Sequence, residues 1–225
     1  MGLVLSSRFD MALDLACSLH RHQWRKGSTV PYVAHLMAVA SLVLEHGGGE
    51  DEAIAALLHD AVEDQGGIPV LERIRNDFGD SVADIVAGCS DSNTTPKPPW
   101  RERKEGYLEH LCTASREVRL VAVADKVHNA RAVLADYRVL GEALWDRFRG
   151  GRDGTLWFYR ALVEVFRSTG LNPLVMELAR IVDEIEILAH TYAQRQVESR
   201  AATRIDGRID GDGVFADDLA VDIVI

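Results

Sequence analysis

Apolar residues recur along most of the chain at intervals of three and four positions, as at Val39, Leu42 and Val43. This spacing puts them on one face of an α-helix. Convincing alternation of apolar and polar residues, which would indicate half-buried strands, is lacking. The pattern predicts an all-α fold of about ten helices. The predicted helices are 7–22, 32–46, 51–63, 69–77, 80–89, 101–113, 116–134, 140–148, 154–168 and 173–198.

Glycine and proline mark several of these boundaries. The triplet at 47–49 supplies the positive φ angles that end the second helix, and Asn172-Pro173 is typical of a helix start. Residues 90–100 hold three prolines and are predicted to be irregular. The chain from 199 to 225 ends in acidic residues and is predicted to be a mobile or loosely docked tail, which leaves 1–198 as one domain.

Composition narrows the class of protein. The 225 residues are 47% hydrophobic, which suits a single large domain, and the net charge is −10. An acidic surface disfavours binding to nucleic acid or to an anionic membrane, and no run of 18 apolar residues predicts a membrane span. Three widely separated cysteines indicate reduced thiols rather than a disulfide framework, so a cytoplasmic location is predicted.

The clearest candidate chemistry lies in the segment 57–64, Leu-Leu-His-Asp-Ala-Val-Glu-Asp. His59, Asp60, Glu63 and Asp64 occupy this short stretch, which is among the most apolar of the chain. Like charges one helical turn apart repel, and burial strengthens the repulsion. A bound cation would relieve it, so the segment predicts a metal site.

Two further ionisable residues fall on apolar helix faces. His35 shares a face with Val39, and Asp125 shares one with Val121. Either residue alone is more simply interpreted as a hydrogen-bonded core residue. Together with the His-Asp pair, they form a nitrogen and oxygen donor set that suits manganese, iron or zinc. Such an ion would acidify a water molecule, and a nearby carboxylate would accept its proton.

Five segments together resemble a known family. They are Arg25-Lys26, residues 31–35 (Pro-Tyr-Val-Ala-His), residues 56–64, Phe78-Gly79, and residues 124–129 (Ala-Asp-Lys-Val-His-Asn). In this order they are similar to the HD-superfamily hydrolase domain of the Rel/Spo alarmone enzymes. The chain as a whole resembles a stand-alone small alarmone hydrolase. The resemblance extends over about residues 8–165, and its most specific motifs are His-Asp-x-x-Glu-Asp and Ala-Asp-Lys-x-His-Asn.

The resemblance implies a fold, a reaction and a set of site residues. The fold is an HD-domain helical bundle, and the reaction removes the 3′-diphosphate of ppGpp or pppGpp as pyrophosphate, usually with Mn²⁺, leaving the nucleoside 5′-di- or triphosphate. The implied metal ligands are His35, His59, Asp60 and Asp125. Glu63 and Asp64 are the implied water-activating pair, and Asn129 is an implied ligand of the nucleotide.

An acidic protein that binds a substrate with several phosphates needs local positive charge. Arg25 and Lys26 precede the first implied metal ligand, and a second basic group follows the proline-rich segment, where a loop can close on the 3′-diphosphate. The predicted substrate-binding residues are Arg25, Lys26, Tyr32, Lys97, Arg103, Lys104, Asn129, Arg152 and Tyr159.

Three alternatives stay open at the level of sequence. The substrate base can be adenine instead of guanine, as in (p)ppApp. The enzyme can be an HD-type nucleotidase that releases orthophosphate, or the chain can be a nucleotide-sensing module without catalysis. All three predict a small nucleotide as the partner, and the sequence does not predict an oligomeric state.

Overall fold

A computed structural model describes residues 2–91, 96–170 and 172–205. The described helices are α1 (Ser7–Leu19), α2 (Val33–Glu45), α3 (Glu50–Leu58), α4 (Ala61–Gln65), α5 (Ile68–Phe78), α6 (Asp80–Cys89), α7 (Trp100–Thr113), α8 (Arg116–Leu140), α9 (Gly151–Thr169) and α10 (Pro173–Ile205), with a 3₁₀ helix at Gly141–Arg147. The all-α prediction is confirmed. Of the predicted tail 199–225, residues 199–205 belong to α10, and residues 206–225 lie outside the described residues.

Helix starts follow from local hydrogen bonding. The Ser6 side chain accepts a hydrogen bond from the Arg8 amide at α1, and Ser115 does the same for Val118 at α8. Asn172 accepts from the amide of Val175 at the start of α10. Each side chain satisfies a backbone donor that has no partner within the helix.

Several predicted helices differ from the structure in their bounds or type. The first helix ends at Leu19 rather than 22, and the last described helix continues past 198 to Ile205. The predicted helix 116–134 extends to Leu140, and most of the predicted helix 140–148 is 3₁₀. The predicted helix 51–63 is broken at His59-Asp60 into α3 and α4.

The central element is α8, which packs against α2, α3, α6 and α10. Helix α3 also contacts α1 and α6, while α7 packs on α9. The buried faces of these helices share one hydrophobic core. Because α2, α3 and α8 contact one another at its centre, polar residues on their inner faces must meet there. Within the described residues, no helix has the length and apolarity needed to cross a membrane.

Candidate metal-binding and catalytic site

The break between α3 and α4 positions the His-Asp pair. His59 follows the last residue of α3 with φ −60° and ψ −33°, and Asp60 precedes α4 with φ −92° and ψ −5°. The chain restarts its helical bonding at once, since the Asp64 amide donates to the Asp60 carbonyl over 3.0 Å. The two adjacent side chains therefore leave the backbone at a kink and converge on one point.

His35 from α2 and Asp125 from α8 meet the His-Asp pair in the core. The Nε2 atom of His35 lies 3.2 Å from Asp125 Oδ1 and 3.5 Å from Asp60 Oδ2. The Nε2 atom of His59 lies 3.0 Å from Asp60 Oδ2 and 3.6 Å from Asp125 Oδ1. All four residues are buried. One donor atom each from His35, His59 and Asp125 lies within 4.8 Å of the others, so these residues could hold a metal ion.

The second nitrogen of each imidazole fixes its orientation. His59 Nδ1 lies 2.8 Å from the Ala56 carbonyl, to which only a protonated nitrogen can donate. Nδ1 of His35 lies 2.7 Å from Nδ1 of His128. Both Nε2 atoms face the carboxylates but have no hydrogen-bond partner of good geometry, although they are buried. Orphaned buried nitrogens facing carboxylates fit a cation-binding site.

Both carboxylates of the cluster favour the ionised form. Burial alone would raise the pKa of Asp125, but Lys126, His35 and His59 outweigh it and hold the pKa well below the ordinary value. The pKa of Asp60 is likewise lowered, because His59 and His35 outweigh its burial. Two ionised carboxylates beside two imidazole nitrogens supply the charge that a divalent cation neutralises.

Both carboxylates are held by further side chains. The Tyr32 hydroxyl donates to Asp60 Oδ2 over 2.7 Å. The Asn129 amide donates to Asp125 Oδ1 over 2.7 Å, and Arg25 in turn donates to Asn129 Oδ1 over 2.7 Å. The predicted substrate contacts Tyr32 and Asn129 therefore also orient the two carboxylates of the candidate metal site.

Glu63 and Asp64 lie on α4, beside the cluster. The side chain of Glu63 is 2% exposed, and its Oε1 lies 2.7 Å from Lys97 Nζ. Burial, with the negative charge of Asp91, raises the pKa of Glu63 to about 7. Asp64 is exposed and accepts a hydrogen bond from Gln23 over 2.8 Å.

The pKa of Asp64 is also raised, to about 6, by incomplete hydration and by the charge of Asp60. Carboxyl groups that titrate near neutral pH can accept a proton from an attacking water.

The predicted basic residues of α7 surround Glu63. Arg103 NH1 lies 2.6 Å from Asp91 Oδ1 and 3.9 Å from Glu63 Oε1, and Lys104 Nζ lies 2.9 Å from Asp91 Oδ2. Asp91 is itself buried, and these two cations outweigh its desolvation and lower its pKa to about 2. The structure thus brings Lys97, Arg103 and Lys104 together on the Glu63 side of the cluster.

A cavity of about 270 Å³ opens on the other side of His35. Its polar lining includes Arg25, Lys26, Tyr32, His128 and Asn129, and its apolar lining includes Val30, Val133, Leu144 and Phe148. Lys26 lies against Phe148 and donates to the Arg147 carbonyl. A cavity with basic groups beside apolar walls suits a phosphorylated nucleoside.

The two remaining predicted contacts, Arg152 and Tyr159, do not line this cavity. Arg152 donates to the Ala189 carbonyl over 3.1 Å and faces Glu142, so the structure places it between α9 and α10 rather than in the cavity. Tyr159 is buried, and its hydroxyl has no hydrogen-bond partner. Burial, partly opposed by the charge of Lys126, raises its pKa.

Sequence reasoning missed two residues of the site. His128 lies inside the quoted Ala-Asp-Lys-x-His-Asn motif, so its contact with His35 could have been sought one helical turn after Asp125. Asp91 follows α6 in the predicted irregular segment. No periodic pattern marks it, and its role as partner of Arg103 and Lys104 depends on tertiary packing alone.

Comparison with known proteins agrees with this architecture. The family model described as HD domain matches residues 12–155. The chain therefore belongs to the HD domain family. Within that family it is similar to proteins named guanosine-3′,5′-bis(diphosphate) 3′-pyrophosphohydrolase MESH1. The relative from Xenopus tropicalis is 39% identical over 53% of this chain and 66% of its own length, and that from Drosophila melanogaster is 31% identical over 76% and 92%.

A solved structure described as a metazoan ortholog of SpoT that hydrolyses ppGpp has the same fold. Its TM-score is 0.67 at 26% identity, over 81% of this chain and 98% of that one. The aligned part spans just under two thirds of the frog relative and nearly all of the fly relative. The resemblance inferred from the motifs is therefore confirmed.

Proposed function

We propose that this chain is a metal-dependent hydrolase that removes the 3′-diphosphate of ppGpp or pppGpp as pyrophosphate. The observation that carries the proposal is the convergence of His35, His59, Asp60 and Asp125 next to two carboxyl groups of raised pKa. The names of its relatives support the substrate.

His35, His59, Asp60 and Asp125 would hold the ion. A donor set without thiolates suits Mn²⁺, which the family resemblance implies. When bound, such an ion supplies Lewis-acid chemistry: it polarises a phosphoryl oxygen and makes a water molecule more acidic. Tyr32, Asn129 and Lys126 keep the two carboxylates in place for this purpose.

Glu63 and Asp64 would orient the attacking water and accept its proton. Asp64 faces solvent at the mouth of the site and is held by Gln23, which suits the group nearest the water. Glu63 lies deeper and contacts Lys97. Lys97 and Arg103, which line the Glu63 side, would neutralise the departing pyrophosphate.

The nucleoside would occupy the cavity beside His35. Arg25 stacks over the Tyr32 ring at 5.7 Å and bonds to Asn129, so its guanidinium is fixed in place before a ligand arrives. Phe148 and Leu144 offer apolar surface to a base. From the three scattered cysteines we also propose a cytoplasmic location.

The test is product analysis. Purified protein loaded with Mn²⁺ is incubated with ppGpp, pppGpp and ppApp, and the nucleotide and phosphate products are separated and quantified. We expect pyrophosphate and GDP in equal amounts from ppGpp, and no turnover after removal of the metal. Release of orthophosphate would instead identify the nucleotidase alternative.

Variants make this test specific. We expect Asp60→Asn to reduce turnover by about a thousandfold or more because it removes a metal-site charge. Arg180→Gln, a change at an exposed position outside the site, is the control and should match the unmodified chain. Failure of the metal-loaded protein to cleave any of the three nucleotides would overturn the proposal.

A further inference from the structure

A second cavity, of about 290 Å³, lies at the opposite end of α2 from His35. The start of α8 and the α9–α10 junction also form it. The proposed function makes no use of this cavity. His46 marks its α2 side, and that residue follows His35 by eleven positions, or roughly 16 Å of helix. The two cavities share no lining residue.

The charges of the second cavity are all of one sign. Arg116 and Arg119 line it three positions apart, on the same side of α8, and none of the lining residues is acidic. Neither arginine forms an ion pair with a carboxylate in the part of the chain that the structure describes. Glu117 lies between them in sequence, but its side chain bonds to Ser115 at the helix start.

Other donors in the cavity are already oriented. Arg119 donates to the Ala114 carbonyl over 2.5 Å, which fixes its guanidinium. The oxygen of the Asn172 side chain accepts from Val175, so its amide nitrogen keeps both of its hydrogens for another acceptor. Two guanidinium groups and an amide, with no carboxylate among the residues that line the cavity, form a site for an anion.

The inner wall of the cavity is apolar. Leu120, Val123 and Phe166 are buried residues that reach it from α8 and α9. Inorganic phosphate would leave this surface without a partner, whereas a phosphate ester can place its organic part there. The volume is similar to that of the cavity beside His35.

From this juxtaposition we infer that the second cavity binds a small organic phosphate, with its phosphate on Arg116 and Arg119 and its organic part against Leu120, Val123 and Phe166. The site is separate from the hydrolytic centre. Val123 lies two residues before Asp125 on α8, so a ligand in this cavity contacts the same helix that carries a metal-site carboxylate.

Calorimetric titration of the full chain with AMP tests this inference. Adenosine and inorganic phosphate are the matched partial ligands. We expect AMP to bind at least about tenfold more tightly than either, because each partial ligand lacks one half of the site. Arg116→Gln combined with Arg119→Gln should weaken AMP binding by about tenfold or more.

Two control variants locate the binding. Arg180→Gln changes an exposed arginine that does not line the cavity and should leave AMP affinity unchanged. Arg25→Ala changes the cavity beside His35 and should also leave this binding event intact. Circular dichroism melting confirms that the double variant is folded, and Arg116→Lys combined with Arg119→Lys, which keeps the charge, should retain part of the affinity.

Three results would overturn the inference. AMP could fail to bind at millimolar concentration. It could bind no more tightly than inorganic phosphate, or its binding could be lost in Arg25→Ala and kept in the double glutamine variant. The last result would assign AMP to the cavity beside His35. None of these outcomes depends on hydrolysis of ppGpp.

Discussion

The proton affinity of Glu63 is set by its burial and by two charged neighbours, Asp91 and Lys97, whose charges are opposite. Burial and the charge of Asp91 raise its pKa from 4.5 to about 7, and Lys97 opposes the shift. A raised pKa means that the folded state binds the proton more tightly than the unfolded state. The resulting stabilisation is complete below pH 4.5 and is lost as the pH rises through about 7.

Glu63→Gln is therefore expected to stabilise the metal-free protein at high pH. The amide resembles the protonated carboxyl at every pH, so the variant should gain up to about 3 kcal/mol at pH 8 and nothing at pH 4. Urea unfolding at both pH values, with chelator present, measures the difference. Equal stability of both proteins at pH 8 would contradict the raised pKa.

Asp91→Asn is the matched control, and we expect it to change the stability at pH 8 in the opposite direction. The pKa of Asp91 is lowered to about 2, so its contribution is present above about pH 4 and is lost as the pH falls through 2. Removing this charge takes away the carboxylate that the buried Arg103 and Lys104 both contact. We expect a loss of about 3 kcal/mol at pH 8.

His128 determines which nitrogen of His35 is available to a metal. Burial and the proximity of His35 lower the pKa of His128 to about 4, so it is neutral at pH 7. A neutral His128 can accept a hydrogen bond from the His35 Nδ1–H group, which leaves Nε2 unprotonated and facing the carboxylates.

His128→Leu removes this acceptor and should lower the affinity for Mn²⁺ by roughly 10–100-fold. His128→Asn places an amide oxygen near the position of Nδ1 and should recover much of the affinity. Calorimetric titration with Mn²⁺ measures the affinity of each variant. If the Leu and Asn variants bind Mn²⁺ equally well, His128 has no role in orienting His35.

At the scale of elements, most helices could be predicted because their apolar faces are regular. The break at His59-Asp60 could not, since the apolar spacing continues across it from α3 into α4. The cluster of His35, His59, Asp60 and Asp125 could be predicted from the sequence because polar groups on apolar faces are unusual. The pairing of Arg103 and Lys104 with Asp91 could not, because it joins an irregular segment to a helix.

The turn after α4 fixes the position of the helix that carries Glu63 and Asp64. Gly66 ends this helix with φ 148°, and a Cβ atom there would come within 2.9 Å of Val70. Gly66→Ala should therefore lower the free energy of unfolding by about 1–2 kcal/mol. It should also reduce turnover, because the strained residue directly follows the helix that carries Glu63 and Asp64.

Gly106 provides the control for that substitution. It lies within α7 and is exposed, and a Cβ atom at this position would meet no other side chain within 4 Å. Gly106→Ala should raise the free energy of unfolding by about 0.5–1 kcal/mol because alanine is the better helix former. Thermal melts of both variants show whether each substitution raises or lowers the stability. A stabilising Gly66→Ala would show that the turn does not require glycine.

At the scale of the whole molecule, the distribution of charge matters more than its total. The chain carries a net charge of −10, yet Arg25 and Lys26 line one side of the candidate site and Lys97 and Arg103 line the other. An anionic substrate is thus repelled by the average surface but attracted at one place. Accordingly, we expect the rate of substrate association to fall as salt is added, which stopped-flow mixing over a range of ionic strength measures.

Metal binding should also stabilise the entire fold, since the proposed ligand side chains come from α2, the α3–α4 junction and α8. The core holds Asp60 and Asp125 close together, and a cation that binds only the folded state adds stability by mass action. At a hundredfold excess of Mn²⁺ over its Kd the gain is about 2.7 kcal/mol, which corresponds to a Tm increase of about 5–10 °C.

His59→Ala should melt at a lower temperature and show no such increase, because it removes one of the orphaned nitrogens. His22→Ala, at an exposed histidine, is the matched control and should keep the full Mn²⁺ response. Scanning calorimetry with and without Mn²⁺ measures the change in melting temperature and needs no substrate. A Mn²⁺-dependent increase that persists in His59→Ala would place the ion elsewhere, because the four inner side chains can then no longer account for it.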